Sequence, residues 1–103
     1  IASVMQGDCK TVGHACEAET SLIMYLRPEL VRSARVENFD DYVPDLVDGV
    51  YVCRDMFQRT SAGATGRPDL ASAEKGDKMF SQIVKRVSDV IRHLTEEPLS
   101  NYP

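Results

Sequence analysis

A histidine, a thiol and two carboxylates lie within a run of six residues in the stretch GHACEAETS, which spans Gly13 to Ser21. An imidazole exchanges protons near neutral pH, and a carboxylate can hold a divalent cation. His14 and Glu19 therefore have the chemistry to move a proton beside a metal-activated water. The plainer alternative is that His14 is a loop residue and that Glu17 and Glu19 are first-turn glutamates favoured by the helix dipole.

Helical geometry limits how these groups can cooperate. At about 100° per residue, the side chains of Glu17 and Glu19 point roughly 200° apart, so we expect one to face a site and the other to face structure or solvent. In a continuous helix His14 would lie about 140° from Glu19. We therefore expect Gly13 to Ala15 to form a turn outside the helix, because only then can the imidazole approach the Glu19 carboxylate.

The element that carries this motif is predicted to be a buried helix. Apolar residues recur at helical spacing from Ala15 to Leu26. Pro28 ends the pattern, because a proline disfavours helix at the residue before it. The pattern thus places Glu17 and Glu19 in the first turns of this helix.

A longer amphipathic helix is predicted near the end of the chain, with Ser72 as its N-cap and Pro98 as its far limit. We expect Glu74 and Lys75 to serve the helix start and salt bridges rather than chemistry. His93, near the other end, is expected to have a helix-end or solvent role.

The sequence pattern predicts only short strands, which would form too small a sheet for these helices to pack on. We expect a strand in IASVM at residues 1–5, followed by a loop to residue 13, and a short strand in VYV at residues 50–52. The segment at residues 60–69, TSAGATGRPD, is rich in small and polar residues and is expected to be an exposed loop. A wide apolar helix face needs a sheet, so we expect the sheet to lie mostly elsewhere.

Composition is that of a globular protein, with 43% hydrophobic and 27% charged residues in 103. We expect residues 1–103 to form part of a single domain. The net charge of −4 argues against nucleic acid as a partner, and no apolar run is long enough for a membrane span. We expect a cytoplasmic protein.

The cysteines are three in number, too few and odd for a disulfide framework. We expect free thiols. A zinc site built from Cys9, His14 and Cys16 is disfavoured, because this spacing matches no common structural zinc pattern and a fourth ligand is undefined.

Two longer motifs extend these observations. The run GHACEAETSLIMYLRPELV, from Gly13 to Val31, resembles the signature of the creatininase (creatinine amidohydrolase) family, H-A-G-E-x-E-T-S-L-x-L-x-L-x-P-E-L-V. Downstream, GRPDLASAEKG, from Gly66 to Gly76, is similar to the family's second signature, G-D-P-x-x-A-S-x-E-K-G, which opens its C-terminal helix. The two motifs occur in the family's order and at the expected separation, and the resemblance covers most of the chain from Gly13 to Leu94.

The resemblance implies an α/β fold. The chain would be the C-terminal part of a creatininase-like three-layer α/β/α sandwich, with the rest of the sheet supplied by an N-terminal segment. It also implies a metal-dependent amidohydrolase that cleaves a C–N bond of a cyclic or formyl amide through a metal-activated water, with two divalent ions, zinc or manganese.

The resemblance also implies roles for single residues. Glu19 corresponds to a metal-ligand glutamate of the family, and His14 corresponds to its proton-shuttling histidine. Glu17 matches an extra glutamate of many members whose role is open. Cys16 stands where the family usually has glycine, and would either shape the pocket or pack beside it. Glu17 and Cys16 are therefore candidates for a position close to the substrate or to the metal ligands.

The family's other ligands, a Glu-x-His pair, an aspartate and a His-x-Glu pair, belong to its N-terminal half, and nothing before Gly13 supplies them. We therefore expect the N-terminal portion of the same enzyme as a partner, either as a separate chain after cleavage or otherwise missing from this sequence, which begins at Ile1. The family also forms rings, often hexamers, so we expect a homo-oligomer that acts on a small-molecule amide.

Two alternatives remain open. The chain could be a non-catalytic assembly fragment or regulatory subunit that kept the helices and lost the metal site. It could also belong to a peptidase or deformylase of the same family. Metal binding separates the first alternative from the enzyme, whereas the groups that bind substrate would separate the second.

Overall fold

The structure is a computed structural model that describes residues 3–7, 12–39 and 54–98. Three α-helices lie in these ranges, α1 (Glu17–Leu26), α2 (Met56–Arg59) and α3 (Ala73–Glu96). Single 3₁₀ turns join them at Pro28–Leu30, Ser33–Arg35 and Pro68–Leu70. The described ranges contain no β-strand, and the strand predicted at residues 50–52 lies outside them.

Helix α1 begins at Glu17, two residues later than the sequence pattern predicts. Ala15 has a φ of 50°, in the left-handed region, so Gly13 to Ala15 form the expected turn before the helix. Cys16 is the extended N-cap residue, and its backbone N–H donates to the Glu19 carboxylate at 3.3 Å. The helix ends directly before Arg27 and Pro28, as predicted.

Helix α3 confirms the second predicted helix. The hydroxyl of Ser72 accepts a hydrogen bond from the backbone N–H of Lys75 at 3.3 Å, and the helix runs for 24 residues to Glu96, just before Pro98. The Ser72 cap satisfies one of the backbone donors that a helix start leaves without a partner.

The two long helices cross at a glycine. A Cβ added to Gly76 would lie 2.0 Å from the carbonyl oxygen of Ser21 and 2.7 Å from the Cβ of Tyr25. The Ser21 hydroxyl in turn accepts the backbone N–H of Ser72 at 3.1 Å. Only glycine permits so close an approach of α3 to the backbone of α1.

A small core lies beside this crossing. It comprises Met5, Cys16, Ala18 and Met79, of which Met79 is completely buried. The C-terminal half of α3 contributes little to it, and its apolar residues are about half exposed within the described part of the chain: Val84, Val87, Val90, Ile91 and Leu94. The sheet expected beneath this face therefore stays a prediction.

The strand predicted at residues 1–5 is not present at residues 3–5, which begin with a turn. Met5 packs into the core, and the backbone N–H groups of Gln6 and Gly7 both donate to the carboxylate of Glu17. These two donors belong to the loop predicted after residue 5, and the Glu17 side chain gives them their hydrogen-bond partner.

The segment at residues 60–69 is also less exposed than predicted. Thr65, Gly66 and Pro68 are buried. The carbonyl oxygen of Gly66 accepts the backbone N–H of Phe39 at 2.9 Å, and Gly66 has a φ of 79°. Contacts with distant segments, which local composition does not encode, bury the second half of this loop.

None of the helices in the described ranges is both long and apolar enough to cross a membrane.

Candidate functional site

His14 and Glu19 line the same cavity, which is open to solvent and has a volume of about 620 Å³. The turn before α1 brings His14 to this cavity, and the first turns of the helix carry Glu19 to it. This arrangement is the one that the sequence pattern required for the imidazole and the carboxylate to approach one target.

The two oxygens of the Glu19 carboxylate differ in their hydrogen bonding within the described residues. Its Oε2 accepts the backbone N–H of Cys16 at 3.3 Å, which holds the carboxylate at the start of the helix. Its Oε1 accepts no hydrogen bond from the residues that the structure describes, so one acceptor remains for a ligand in the cavity.

Two hydrogen bonds hold His14 through its backbone. Its N–H donates to the hydroxyl of Thr65 at 3.0 Å, and its carbonyl oxygen accepts the backbone N–H of Thr65 at 2.9 Å. Thr65 is 4% exposed, whereas His14 is exposed. The backbone is thus anchored while the imidazole remains open to the cavity and to solvent.

Glu17 points away from this cavity, as the helical geometry requires. It is 1% exposed, and its carboxylate accepts hydrogen bonds from the backbone of Gln6 and Gly7 and from the ammonium of Lys75, which is 2.7 Å away. Burial by itself raises the pKa of Glu17, but the hydrogen bonds from Lys75, Gly7 and Gln6 outweigh it and lower the pKa. Glu17 therefore makes its contacts within the fold, and it does not line the cavity of His14 and Glu19.

Lys75 forms the salt bridge that the sequence analysis expects of it. Besides Glu17, its ammonium contacts the carbonyl oxygen of Leu70 and the side-chain oxygen of Gln6, the latter at 3.0 Å. One cation thus links the residues before α1, α1 itself and the start of α3.

Cys16 is a buried free thiol with 3% exposure and lies in the core beside Met79. Its sulfur accepts the backbone N–H of Gly13 at 3.3 Å. Cys16 does not line the cavity of His14 and Glu19. Of the two roles considered for it, packing beside the site is the one its position favours. Cys9 lies outside the described residues.

Two arginines that the sequence pattern did not indicate, Arg32 and Arg35, line the cavity together with His14 and Glu19. They occupy the irregular stretch after α1, at either end of the turn Ser33–Arg35. Their spacing of three residues is visible in the sequence. Nothing in the sequence indicates, however, that this turn folds back over the start of α1.

His93 lies at the end of α3, as expected. Its side chain is 75% exposed, and its Nε2 lies 3.7 Å from the carboxylate of Glu97. It is remote in sequence from the cavity and does not line it.

The described residues contain no group of three or more His, Cys, Asp or Glu side chains that could hold a metal ion. His14 and Glu19 are nevertheless side chains of the types that zinc and manganese accept, and the Glu19 carboxylate presents one oxygen to an open cavity. The residues present therefore fit a metal only as part of a larger ligand set.

The sequence pattern of the creatininase family, creatinine amidohydrolase, matches residues 2–91. The chain belongs to the creatininase family. This membership confirms the resemblance carried by the two motifs.

A similar solved structure indicates the fold of the chain. The crystal structure, at 2.11 Å resolution, of a proposed creatinine amidohydrolase from Bacteroides fragilis is similar to this chain with a TM-score of 0.78 and 25% sequence identity. The similarity covers 94% of this chain and 39% of the Bacteroides protein. The chain therefore has a creatininase-type fold and spans about two fifths of the length of that protein. No curated protein matches the chain.

Proposed function

We propose that this chain contributes His14 and Glu19 to a metal-dependent amidohydrolase of creatininase type, which cleaves a C–N bond of a cyclic or formyl amide. The observation that carries the proposal is that these two side chains, from the turn and the helix of one family motif, line one open cavity. Family membership supports the reaction class.

Glu19 would act as one ligand of a divalent ion, zinc or manganese, in a site for two such ions. When bound, such ions polarise the amide carbonyl and activate a water molecule as nucleophile. The hydrogen bond from Cys16 fixes the Glu19 carboxylate at the helix start and leaves Oε1 for the ion. The residues present fit this role, and the remaining ligands would come from polypeptide beyond these 103 residues.

His14 would move the proton. As general base it would accept a proton from the attacking water, and as general acid it would deliver that proton to the leaving nitrogen. The exposed imidazole can reorient between these positions, while Thr65 holds the backbone that carries it. Proton delivery prevents the nitrogen from leaving as an unstable anion.

We further propose that the rest of the domain supplies the sheet of a three-layer α/β/α sandwich and that the enzyme is a homo-oligomer. The half-exposed apolar residues of α3 support the first part, because such a face is stable when another layer covers it. An N-terminal portion of the same enzyme, in the same chain or in a separate one, would provide this layer.

Metal content tests the role of Glu19. The complete enzyme that contains these residues is stripped with a chelator, reloaded with zinc or manganese and analysed by elemental mass spectrometry. Glu19→Gln should lower the occupancy, because an amide is a poor ligand, yet the glutamine oxygen can still accept the Cys16 N–H and keep the helix start. Glu29→Gln removes an equal charge from an exposed position on the turn Pro28–Leu30 and should leave the metal occupancy unchanged.

Turnover tests the role of His14. His14→Ala should keep the metal occupancy of the wild type and lower turnover of a formyl or cyclic amide by about 10²-fold or more. If the wild-type assembly binds neither metal, the enzyme proposal fails and the non-catalytic alternative replaces it. If both variants keep wild-type turnover, the motif is structural.

A further inference from the structure

Arg32 and Arg35 place two positive charges on the wall of the cavity that contains His14 and Glu19. Arg32 directly precedes the 3₁₀ turn Ser33–Arg35, and Arg35 is the last residue of that turn. The backbone N–H of Arg35 donates to the carbonyl oxygen of Arg32 at 2.8 Å. Both side chains therefore belong to one short segment of the cavity wall.

Neither arginine has an acidic partner among the residues that the structure describes. Arg27 and Arg67 each pair with an acidic side chain two residues later, with Glu29 and with Asp69. Arg35 has Glu37 at the same spacing, but no ion pair forms between them. Both arginines are thus exposed cations without a counter-ion in the described part of the chain.

The cavity wall differs in charge from the chain as a whole. The chain as a whole has a net charge of −4, yet the described residues of the cavity wall include two arginines and one carboxylate, that of Glu19. Much of the remaining wall is apolar, formed by Ile23, Leu30, Val31, Val36 and Phe39. Charges beside an apolar wall attract a bound ion more strongly than charges in bulk water do.

We propose that Arg32 and Arg35 bind an anionic group on the substrate, a carboxylate or a phosphate, at a point remote from the amide bond that is cleaved. The inference rests on the proposed function, since it names the substrate class for the same cavity. The planar guanidinium forms paired hydrogen bonds with either anion, which makes arginine suited to this recognition. A cavity of about 620 Å³ has room for both ends of such a small molecule.

Three probes that share a phenyl ring test the proposal: benzoate, phenyl phosphate and neutral benzamide, of which benzamide matches benzoate in shape. Each is titrated by calorimetry into the complete enzyme after removal of metal, so that no ion in the site can hold the anion. We expect at least one anionic probe to bind about tenfold or more tightly than benzamide. Preference for benzoate indicates a carboxylate on the substrate, and preference for phenyl phosphate indicates a phosphate.

The variants Arg32→Ala and Arg35→Ala should each weaken binding of the preferred anion by about three- to tenfold and leave binding of benzamide unchanged. Arg86→Ala removes the same charge from the exposed surface of α3 and should change neither. Arg32→Lys and Arg35→Lys keep the charge without the planar fork and should give intermediate losses. Equal binding of all probes to the wild type, or unchanged anion binding in both alanine variants, would overturn the proposal.

These results are independent of the proposed hydrolase. If metal binding and turnover survive but the enzyme does not discriminate benzoate or phenyl phosphate from benzamide, the anion proposal is wrong and the hydrolase stands. If the probes are discriminated through both arginines but no metal binds, the hydrolase is wrong and the anion site stands.

Discussion

Thr65 and His14 are 51 positions apart in the sequence and are joined by two hydrogen bonds. The Thr65 hydroxyl accepts the His14 N–H at 3.0 Å, and the Thr65 N–H donates to the His14 carbonyl oxygen at 2.9 Å. Gly13, next to His14, accommodates this contact, because an added Cβ there would lie 2.5 Å from the Thr65 hydroxyl oxygen. The position of the candidate proton shuttle therefore depends on a distant loop.

Replacing Thr65 by valine should therefore lower both the stability of the fold and the turnover of the complete enzyme. The change keeps the shape but leaves the His14 N–H without its acceptor, at a cost of about 1–2 kcal/mol in the free energy of unfolding. Urea unfolding measures this cost. Turnover of the complete enzyme should fall because the backbone at His14 is less well held, while metal occupancy should change less.

Thr65→Ser is the matched control, because it keeps the hydroxyl and removes only a methyl group. It should retain most of the turnover. Equal losses for the serine and valine variants would mean that packing of the methyl group, rather than the hydrogen bond, positions His14.

The helix crossing leads to a second prediction. Gly76→Ala should lower the free energy of unfolding by about 1–3 kcal/mol, because its Cβ would overlap the carbonyl of Ser21. Helix propensity alone acts in the opposite direction, since alanine favours a helix by about 1 kcal/mol over glycine. Ser88→Ala, at an exposed position of α3, is the control and should change stability by no more than a few tenths of a kcal/mol. A stabilised Gly76→Ala variant would show that the two helices do not approach so closely.

The ion pair of Glu17 and Lys75 predicts a dependence of stability on pH. Because folding lowers the pKa of Glu17 below its ordinary value of about 4.5, its contribution is fully present above that pH. The contribution disappears as the pH falls through the lower pKa of the folded state. Chemical unfolding of the wild type and of Glu17→Gln between pH 7 and pH 3 should therefore give a difference that is largest at neutral pH and shrinks in acid.

Glu74→Gln provides the control for this measurement. Glu74 also pairs with a lysine at 2.7 Å, Lys78, and this bond lowers its pKa, but both side chains are exposed. Solvent screens such a pair, so its loss should alter the pH profile far less. A Glu74→Gln profile as altered as that of Glu17→Gln would mean that burial of Glu17 adds nothing to its ion pair.

The buried thiol of Cys16 leads to a further prediction. Cys16→Ala should lower the free energy of unfolding by about 1 kcal/mol, because it leaves a small void in the core and removes the acceptor of the Gly13 N–H. Zinc or manganese occupancy should stay at the wild-type level, since Cys16 does not line the cavity. A lower occupancy with unchanged stability would instead place the sulfur in the metal environment.

The sequence alone determined the features that depend on residues close together in the chain. The start of α3 follows from the hydroxyl of Ser72, which caps the backbone three residues away. The end of α1 follows from Pro28, and the opposed directions of Glu17 and Glu19 follow from the helical repeat. The pairing of His14 with Glu19 at one cavity could also be expected, because both belong to one turn and the helix after it.

Tertiary structure alone decided the features that depend on residues far apart in the chain. The burial of Glu17 requires Lys75, 58 residues later, and the N–H groups of Gln6 and Gly7, in the segment that the sequence pattern assigned to a loop. The anchoring of His14 by Thr65 and the return of Arg32 and Arg35 to the same cavity also arise from long-range folding. Periodicity and propensity describe energies within a few residues, whereas these contacts depend on how α3 and the loops pack against α1, which no local pattern encodes.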